Sequence, residues 1–510
     1  MSDLDVVVIG GGPAGAAAAR LLALWGYSVR VLTKVADARR GAAESLPPST
    51  RKLLATIGVL DRIDAAGFYR TTGNTVWWGE RHGDVERFDS SAAGERVEPA
   101  PFGYQVLRPA FDELMLAAAA DAGADVDRGV HVRRAQLPGA GPVSEHAPVA
   151  IEYRRERQTA RTVRCRFVVD ASGRAGVIAR QGLRVHQAGF RTQAFIGVWQ
   201  SESGWNLLDP THTLVETYED GWAWSVPLSA TLRQVGVAVD GATTRIARGP
   251  TLHETYRAEL GKAEHLSALM SGAVLDRVWA CDASCFQARE YGGPRFLLLG
   301  DAGSCIDPLS SFGIKKALAS GWVGAIAVNT CLRHAERSNS ALEFFSNWER
   351  DVYAANLKRS VAFAREAYGR HSHPFWAERA AVEVAEDAEE LDEERLFRAQ
   401  DVQATFESLK QSAAVTFTRS DRFCLKSLPV IHGREIAVAD AIAIPDVPRG
   451  VRFIAGVDLL KLSDVACRYR QVPEIFDAYC RTHGVVALPG FLGALSFLVA
   501  RGILRQDRSD

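Results

Sequence analysis

The sequence predicts an α/β chain that opens on a parallel βαβ unit, continues into a β-rich domain and ends in a small separate α/β module. Three observations carry this. The apolar run 5–9 is followed at once by Gly10-Gly11-Gly12-Pro13-Ala14-Gly15, then by the small aliphatic stretch 16–24 and a second strand-like run, 28–32. From 195 to 239 strand patterns dominate, as expected of a sheet roofing a pocket. Beyond about residue 415 the pattern restarts with strands and helices of its own.

Strand, glycine turn, helix and strand, in that order, make a Rossmann-type dinucleotide-binding unit. Gly10 makes the tight turn, Gly12 lets the backbone approach a pyrophosphate, and Gly15 lets helix and strand pack closely. Pro13 and Ala14 open the helix, whose N-terminal N–H groups and dipole favour phosphate. An acidic residue normally ends the second strand and bonds the adenosine ribose. Here that place holds Thr33, followed by Lys34. A hydroxyl is a weaker, neutral partner, and Lys34 leaves recognition of an NADP-type phosphate open.

At 510 residues the chain has room for two or three domains. A net charge of −1 gives no global pull toward nucleic acid or anionic membrane. The eight cysteines include no CxxC or zinc spacing, so no metal site is expected and the thiols read as free in a reducing cytoplasm. No stretch approaches the roughly 20 apolar residues of a membrane span.

Along the chain, 41–48 reads as a loop, 50–60 as a helix, and 67–79 as a turn feeding a strand with two tryptophans. Residues 105–108 lead into an amphipathic helix over 109–122, and 126–132 and 149–169 carry strand signals ending in Asp170-Ala171-Ser172-Gly173-Arg174. The run 295–299 is a buried parallel strand arriving at Gly300-Asp301, followed by a long helix over 313–332. From 344 onward the pattern is helical, with an acidic stretch at 383–394. The expected organisation is a catalytic domain of interleaved cofactor- and substrate-binding segments (1–375), a helical acidic linker (376–414) and a winged-helix-like module (415–510).

Leu299-Gly300-Asp301-Ala302, some 290 residues after the glycine turn, together with Arg108 and the Asp170–Gly173 motif, is similar to the layout of FAD-dependent aromatic hydroxylases over about residues 1–370. Two further stretches narrow the likeness. Gly221-Trp222-Ala223-Trp224-Ser225-Val226-Pro227 resembles the GWxWxIP signature of flavin-dependent halogenases and their relatives, and Asp307-Pro308-Leu309-Ser310-Ser311-Phe312-Gly313-Ile314 resembles their segment beside the flavin. The resemblance implies FAD, with Gly10, Gly12, Pro13, Ala14 and Gly15 at the pyrophosphate and Thr33 and Lys34 at the adenosine end. It places Glu44, Ser45 and Arg108 along the middle, Asp301 on the ribityl chain, and Pro308, Gly313 and Ile314 near the ring. Trp222 and Trp224 would wall the flavin from the substrate; by spacing alone they are equally a core pair on one strand face. Glu44 and Asp307 are the polar candidates for acid–base work, with His212 and Glu216 on the tunnel-side strand behind them.

The chain departs from the halogenase pattern at three places. The lysine of that family falls here at Thr71 or Trp77, and no lysine occurs between Lys52 and Lys262. Arg70 cannot form the corresponding amine adduct. Phe312 and Ser310 stand where halogenases carry a threonine and, in tryptophan halogenases, a glutamate. The resemblance therefore implies a monooxygenase in which reduced flavin and O2 give a C4a-hydroperoxide that hydroxylates an electron-rich ring. The C-terminal module looks like the small peptide-recognition domains of peptide-modifying enzymes, which add a strand at a sheet edge; packing only, or DNA binding on a thin basic excess, are the other readings. Within the superfamily the chain most resembles the flavoprotein monooxygenases that mature a tryptophylquinone cofactor by hydroxylating a peptidyl tryptophan. The partners expected are a tryptophan-containing peptide and NAD(P)H or an external flavin reductase. The competing classes are a halogenase or small-molecule aromatic hydroxylase of secondary metabolism, a flavin reductase acting on prenyl double bonds, and a flavin-binding scaffold without turnover.

Overall fold

The computed structural model describes residues 4–507 apart from 36–40, 90–99, 138–147, 157, 242–249, 385–398, 412–413, 421–422 and 445–446. The chain divides into two units, Met1–Ala388 and Glu389–Asp510.

In the first unit the uninterrupted apolar run Val6 to Ile9 suits a strand covered on both faces. Strand Leu4–Ile9 lies parallel between Arg161–Asp170 and Val29–Thr33, with Val6, Val7 and Val8 fully buried. Phe296–Leu298 adds in parallel beside Arg161–Asp170, and Asp125–Arg128 beside Val29–Thr33. Helix Pro13–Leu24 follows the glycine turn, and its alanines leave room for helix Gly313–Arg333 to cross close by. A Cβ on Gly321 would come within 3.0 Å of the Ala14 carbonyl oxygen.

The β-rich stretch forms a seven-stranded sheet in the order Val274–Asp282, Thr192–Gln200, Leu232–Asp240, Gly221–Pro227, Thr213–Tyr218, Gly73–Trp77 and Asp84–Arg87. The region expected to be a loop at 41–48 contains strand Ala43–Leu46, paired with Gly103–Leu107. Its partner lies far along the sequence, so no local pattern announces it. The helix expected over 50–60 breaks at Gly58, whose φ of 76° ends Thr50–Ile57 before a second helix, Leu60–Ala65.

The first unit runs past residue 375. Helix Pro374–Ala380 buries Trp376, whose indole N–H donates to the Tyr218 carbonyl at 2.9 Å. At the other end of the expected linker, helix Gln400–Gln411 puts Leu409 into the core of the second unit. Both ends of 376–414 are thus built into a unit, and most of the acidic stretch 383–394 lies outside the described residues.

The second unit has a meander, Cys424–His432, Glu435–Ile444 and Val447–Val451, followed by helices Leu459–Ala466, Val472–His483 and Leu488–Ala500. Strand Thr416–Arg419 pairs with Leu504–Asp507. Ile442, Leu462, Phe491, Leu495 and Leu498 are fully buried in its core. Among the described residues no single helix is long and apolar enough to cross a membrane. Val472–His483 and Leu488–Ala500 pass that test only as a pair, bent by 108°.

Candidate active site

Two cavities in the first unit share Gly12, Arg108, Ala171 and Gly173 as wall residues and together form one trench. The outer one, about 520 Å³, is lined by Gly10, Gly12, Thr33, Lys34 and Arg108. The inner one, about 330 Å³, is lined by Gly12, Pro13, Ala14, Glu44, Ser45, Arg108, Trp222, Trp224, Asp301, Asp307, Pro308, Gly313 and Ile314. Helix Pro13–Leu24 starts at this junction without a side-chain cap, leaving its first N–H groups free to meet an anion. Gly15 lines neither cavity: a Cβ there would collide with the Gly10 carbonyl oxygen, so it is a packing glycine. Thr33 accepts the Gly11 N–H at 3.2 Å, so its hydroxyl shapes the turn as well as facing the outer cavity.

Arg108 crosses the trench floor. Its Nη1 donates to Glu44 at 2.8 Å, and its Nε and Nη2 bind both oxygens of Asp112 at 2.9 Å. Burial raises the Glu44 carboxyl even though Arg108 pulls it down, while Glu44 and Asp112 hold Arg108 firmly protonated against the cost of its own burial. Burial also raises Asp307, against the Leu309 N–H that it accepts at 2.9 Å and the nearby Arg379. A further wall escaped the sequence reading. Arg174 pairs with Asp282 at 3.1 Å and touches Cys305, whose thiol burial pushes up to about 12. Arg174 directly follows the Asp170–Gly173 motif, a signal that was available; Asp282 and Cys305 carried none.

The opposite wall is the seven-stranded sheet. Trp222 and Trp224 stand on one face of their strand with ring centroids 4.8 Å apart, beside Ala194, Ile196, Val215 and Val226. The period of two that brings Thr213 and Val215 to the cavity sends Glu216 to the other face. Both Glu216 oxygens are occupied there, accepting the N–H groups of His265 (2.9 Å) and Leu266 (2.8 Å) at the start of helix Glu264–Leu269. His212 is buried between Thr75 (3.0 Å) and Asp209 (3.3 Å), also away from the cavity. Neither is placed for chemistry in the trench. Of the two positions considered for the absent lysine, Thr71 is buried with its hydroxyl donating to the Gly73 carbonyl at 3.1 Å, and Trp77 stacks on His265. None of the described residues lining the inner cavity is a lysine.

An extended trench with a glycine turn and an uncapped helix start at its middle fits a dinucleotide cofactor. Residues 3–323 match the family model described as an FAD binding domain. The tryptophan 2-halogenase of Chondromyces crocatus is 30% identical over 385 residues, covering 74% of this chain and 70% of that one. The sulochrin halogenase of Aspergillus terreus is 29% identical over 385 residues, covering 71% and 69%. Among solved structures, the flavin-dependent halogenase CmlS superposes with a TM-score of 0.73 at 22% identity, covering 99% of this chain and 96% of that one. The peptidyl tryptophan dihydroxylase QhpG, essential for tryptophylquinone cofactor biogenesis, superposes with a TM-score of 0.64 at 22% identity, covering 98% and 100%. The chain belongs to the FAD-binding superfamily of flavin-dependent halogenases and monooxygenases, and is an FAD-dependent oxidoreductase.

Proposed function

We propose that this protein is an FAD-dependent monooxygenase that hydroxylates an electron-rich aromatic ring, with a tryptophan carried in a peptide as its substrate. The observation that carries the reading is the inner cavity itself: two tryptophans and aliphatic side chains on one side, the FAD-motif residues on the other, and no lysine among the described lining residues. Without an amine to capture hypohalous acid, the oxidant is spent directly on the ring. The indole class is supported by two likenesses of independent kind, a tryptophan halogenase in sequence and a peptidyl tryptophan dihydroxylase in fold.

In this reading Gly10, Gly12, Pro13 and Ala14 hold the pyrophosphate, with Gly15 securing the turn beneath them, and Thr33 and Lys34 meet the adenosine. Glu44, Ser45 and Arg108 line the middle, Asp301 bonds the ribityl chain, and Pro308, Gly313 and Ile314 lie against the ring. Bound FAD, once reduced, activates O2; the chain's own part is to exclude water and orient the acceptor carbon. Trp222 and Trp224 make the dry wall against which a substrate ring packs. Glu44 and Asp307, both raised by burial, are the groups able to hold or release a proton there. Electrons come from NAD(P)H or a separate flavin reductase. The C-terminal unit recognises the peptide, and the protein works in the cytoplasm.

A halogenase is the second reading, favoured by the curated relatives, which include a chlorinase of a carrier-protein-bound pyrrole. Mass spectrometry separates the two. A tryptophan-containing peptide is incubated with the protein, labelled O2 and NAD(P)H, alone or together with a flavin reductase, with and without bromide. Labelled oxygen on the ring, unchanged by bromide, is the expected result. A bromine isotope doublet overturns it.

A further inference from the structure

We propose that Lys316 and Glu349, a buried ion pair outside both cavities, position the Gly300–Ser304 turn and set how strongly the protein prefers reduced over oxidised flavin. Lys316 lies on helix Gly313–Arg333 and Glu349 on Ser338–Tyr368; they are 3% and 0% exposed, with Nζ and Oε2 4.0 Å apart. The Lys316 ammonium donates to the carbonyls of Gly300 (3.1 Å) and Ser304 (2.6 Å). On the other side, Ser320 donates its hydroxyl to Glu349 and accepts the Gly300 N–H at 2.8 Å. Gly300, at a left-handed φ of 58°, is therefore clamped at both its N–H and its C=O by one network. The turn so held carries Asp301, and Cys305 follows it; both line the inner cavity.

Stability is a poor reason for such a pair. Each ion loses several kcal/mol of hydration on burial, and apolar replacements of similar volume are often as stable or more so. The two helices already bury apolar side chains, Val323 on the first and Phe345 on the second. The charges do reach the cavity wall. Lys316 partly offsets the burial that raises the Cys305 thiol; burial also raises the Glu349 carboxyl, with Lys316 and the Ser320 hydroxyl pulling it down and Asp301 adding to the rise. Reduced flavin carries more negative charge than oxidised flavin at neutral pH. The Lys316 cation behind the turn therefore favours the reduced form, and Glu349 tempers that bias. The inference rests on FAD as the cofactor and is independent of the substrate.

The test uses the full-length holoprotein and its Lys316→Met and Glu349→Gln variants, with the flavin midpoint potential read by dye-coupled spectroscopic titration and thermal unfolding measured alongside. Lys316→Met should weaken the relative hold on reduced flavin about tenfold, a fall of about 30 mV for a two-electron couple. Glu349→Gln, which keeps a partner for Ser320, should move the potential upward. A lowered unfolding temperature with both potentials unchanged overturns the proposal and leaves the pair a packing feature. If Lys316→Met does not fold, Glu349→Gln decides alone, and an unshifted potential in that variant is equally fatal.

Discussion

Gly236 stands directly opposite Trp224 in the seven-stranded sheet, and the Trp224 ring lies over it. A Cβ built on Gly236 would fall well under 3.0 Å from three atoms of that ring, Cζ2, Cη2 and Cε2. To regain ordinary contact at 3.5–4.0 Å, the ring must withdraw by about 1.5–2 Å. Its neighbour Trp222, 4.8 Å away centroid to centroid, stands on the same cavity wall, so the displacement passes along that wall. Gly236→Ala should therefore cost about 1–3 kcal/mol of stability through overpacking. Turnover should fall further, by about 10²-fold or more, since a misplacement of about 1 Å in a substrate-positioning surface already costs that much. FAD affinity should be unchanged, because Gly236 touches none of the cofactor-motif residues. The assays are thermal unfolding, FAD titration, and labelled-oxygen incorporation into the ring substrate. Adding Trp224→Leu removes the collision and should recover the stability without recovering turnover. If Gly236→Ala loses its expected stability yet turns over within twofold of the parent, the tryptophan wall does not position the substrate.

Gly15→Ala should abolish flavin retention, seen as loss of the flavin absorbance in purified protein, since its methyl would collide with the Gly10 carbonyl. Arg233 is fully buried and donates to Ser225 Oγ (2.8 Å) and to the carbonyls of Pro210 (3.0 Å) and His212 (2.7 Å). Arg233→Met leaves three acceptors unpaired and should cost about 3 kcal/mol or more in denaturant titration, at roughly 1–3 kcal/mol per buried group. Burial raises Asp282, but Ser284 and Arg174 outweigh it and leave the carboxyl below its ordinary value. Its stabilisation is therefore complete above the unfolded pKa of about 3.9 and lost as pH falls through the lower folded value. Asp282→Asn should flatten the acid limb of unfolding temperature against pH, with both proteins converging at the acid end.

Much of the trench could be read from the sequence because its parts are short, contiguous and chemically specific. Gly10 to Gly15, the Gly221–Pro227 strand and the Asp307–Ile314 segment each announce themselves locally. What the sequence concealed depends on distant pairing or on which way a side chain points. Ala43–Leu46 looks like loop because its strand partner lies at Gly103–Leu107. Glu216 and His212 looked tunnel-facing because polar residues on a tunnel strand invite that reading, yet strand alternation turns Glu216 toward a helix start. Helix Pro374–Ala380 looked like linker because its burial is owed to Tyr218, far earlier in the chain.

The order of strands across the first sheet has a consequence for biosynthesis. Strand Leu4–Ile9 is made first, yet the sheet that carries the glycine turn is incomplete until Arg161–Asp170 and Phe296–Leu298 have arrived beside it. The inner cavity further requires Asp301, Asp307 and Ile314. At 5–20 residues per second, about 15–60 s of translation separate the glycine turn from the segments that close the trench over it. A nascent chain of this protein is thus a flavin protein without a flavin site throughout that interval, its apolar strand Leu4–Ile9 waiting for partners. Truncations ending before helix Gly313–Arg333 should be chaperone clients rather than smaller flavoproteins, and cofactor loading cannot precede that helix.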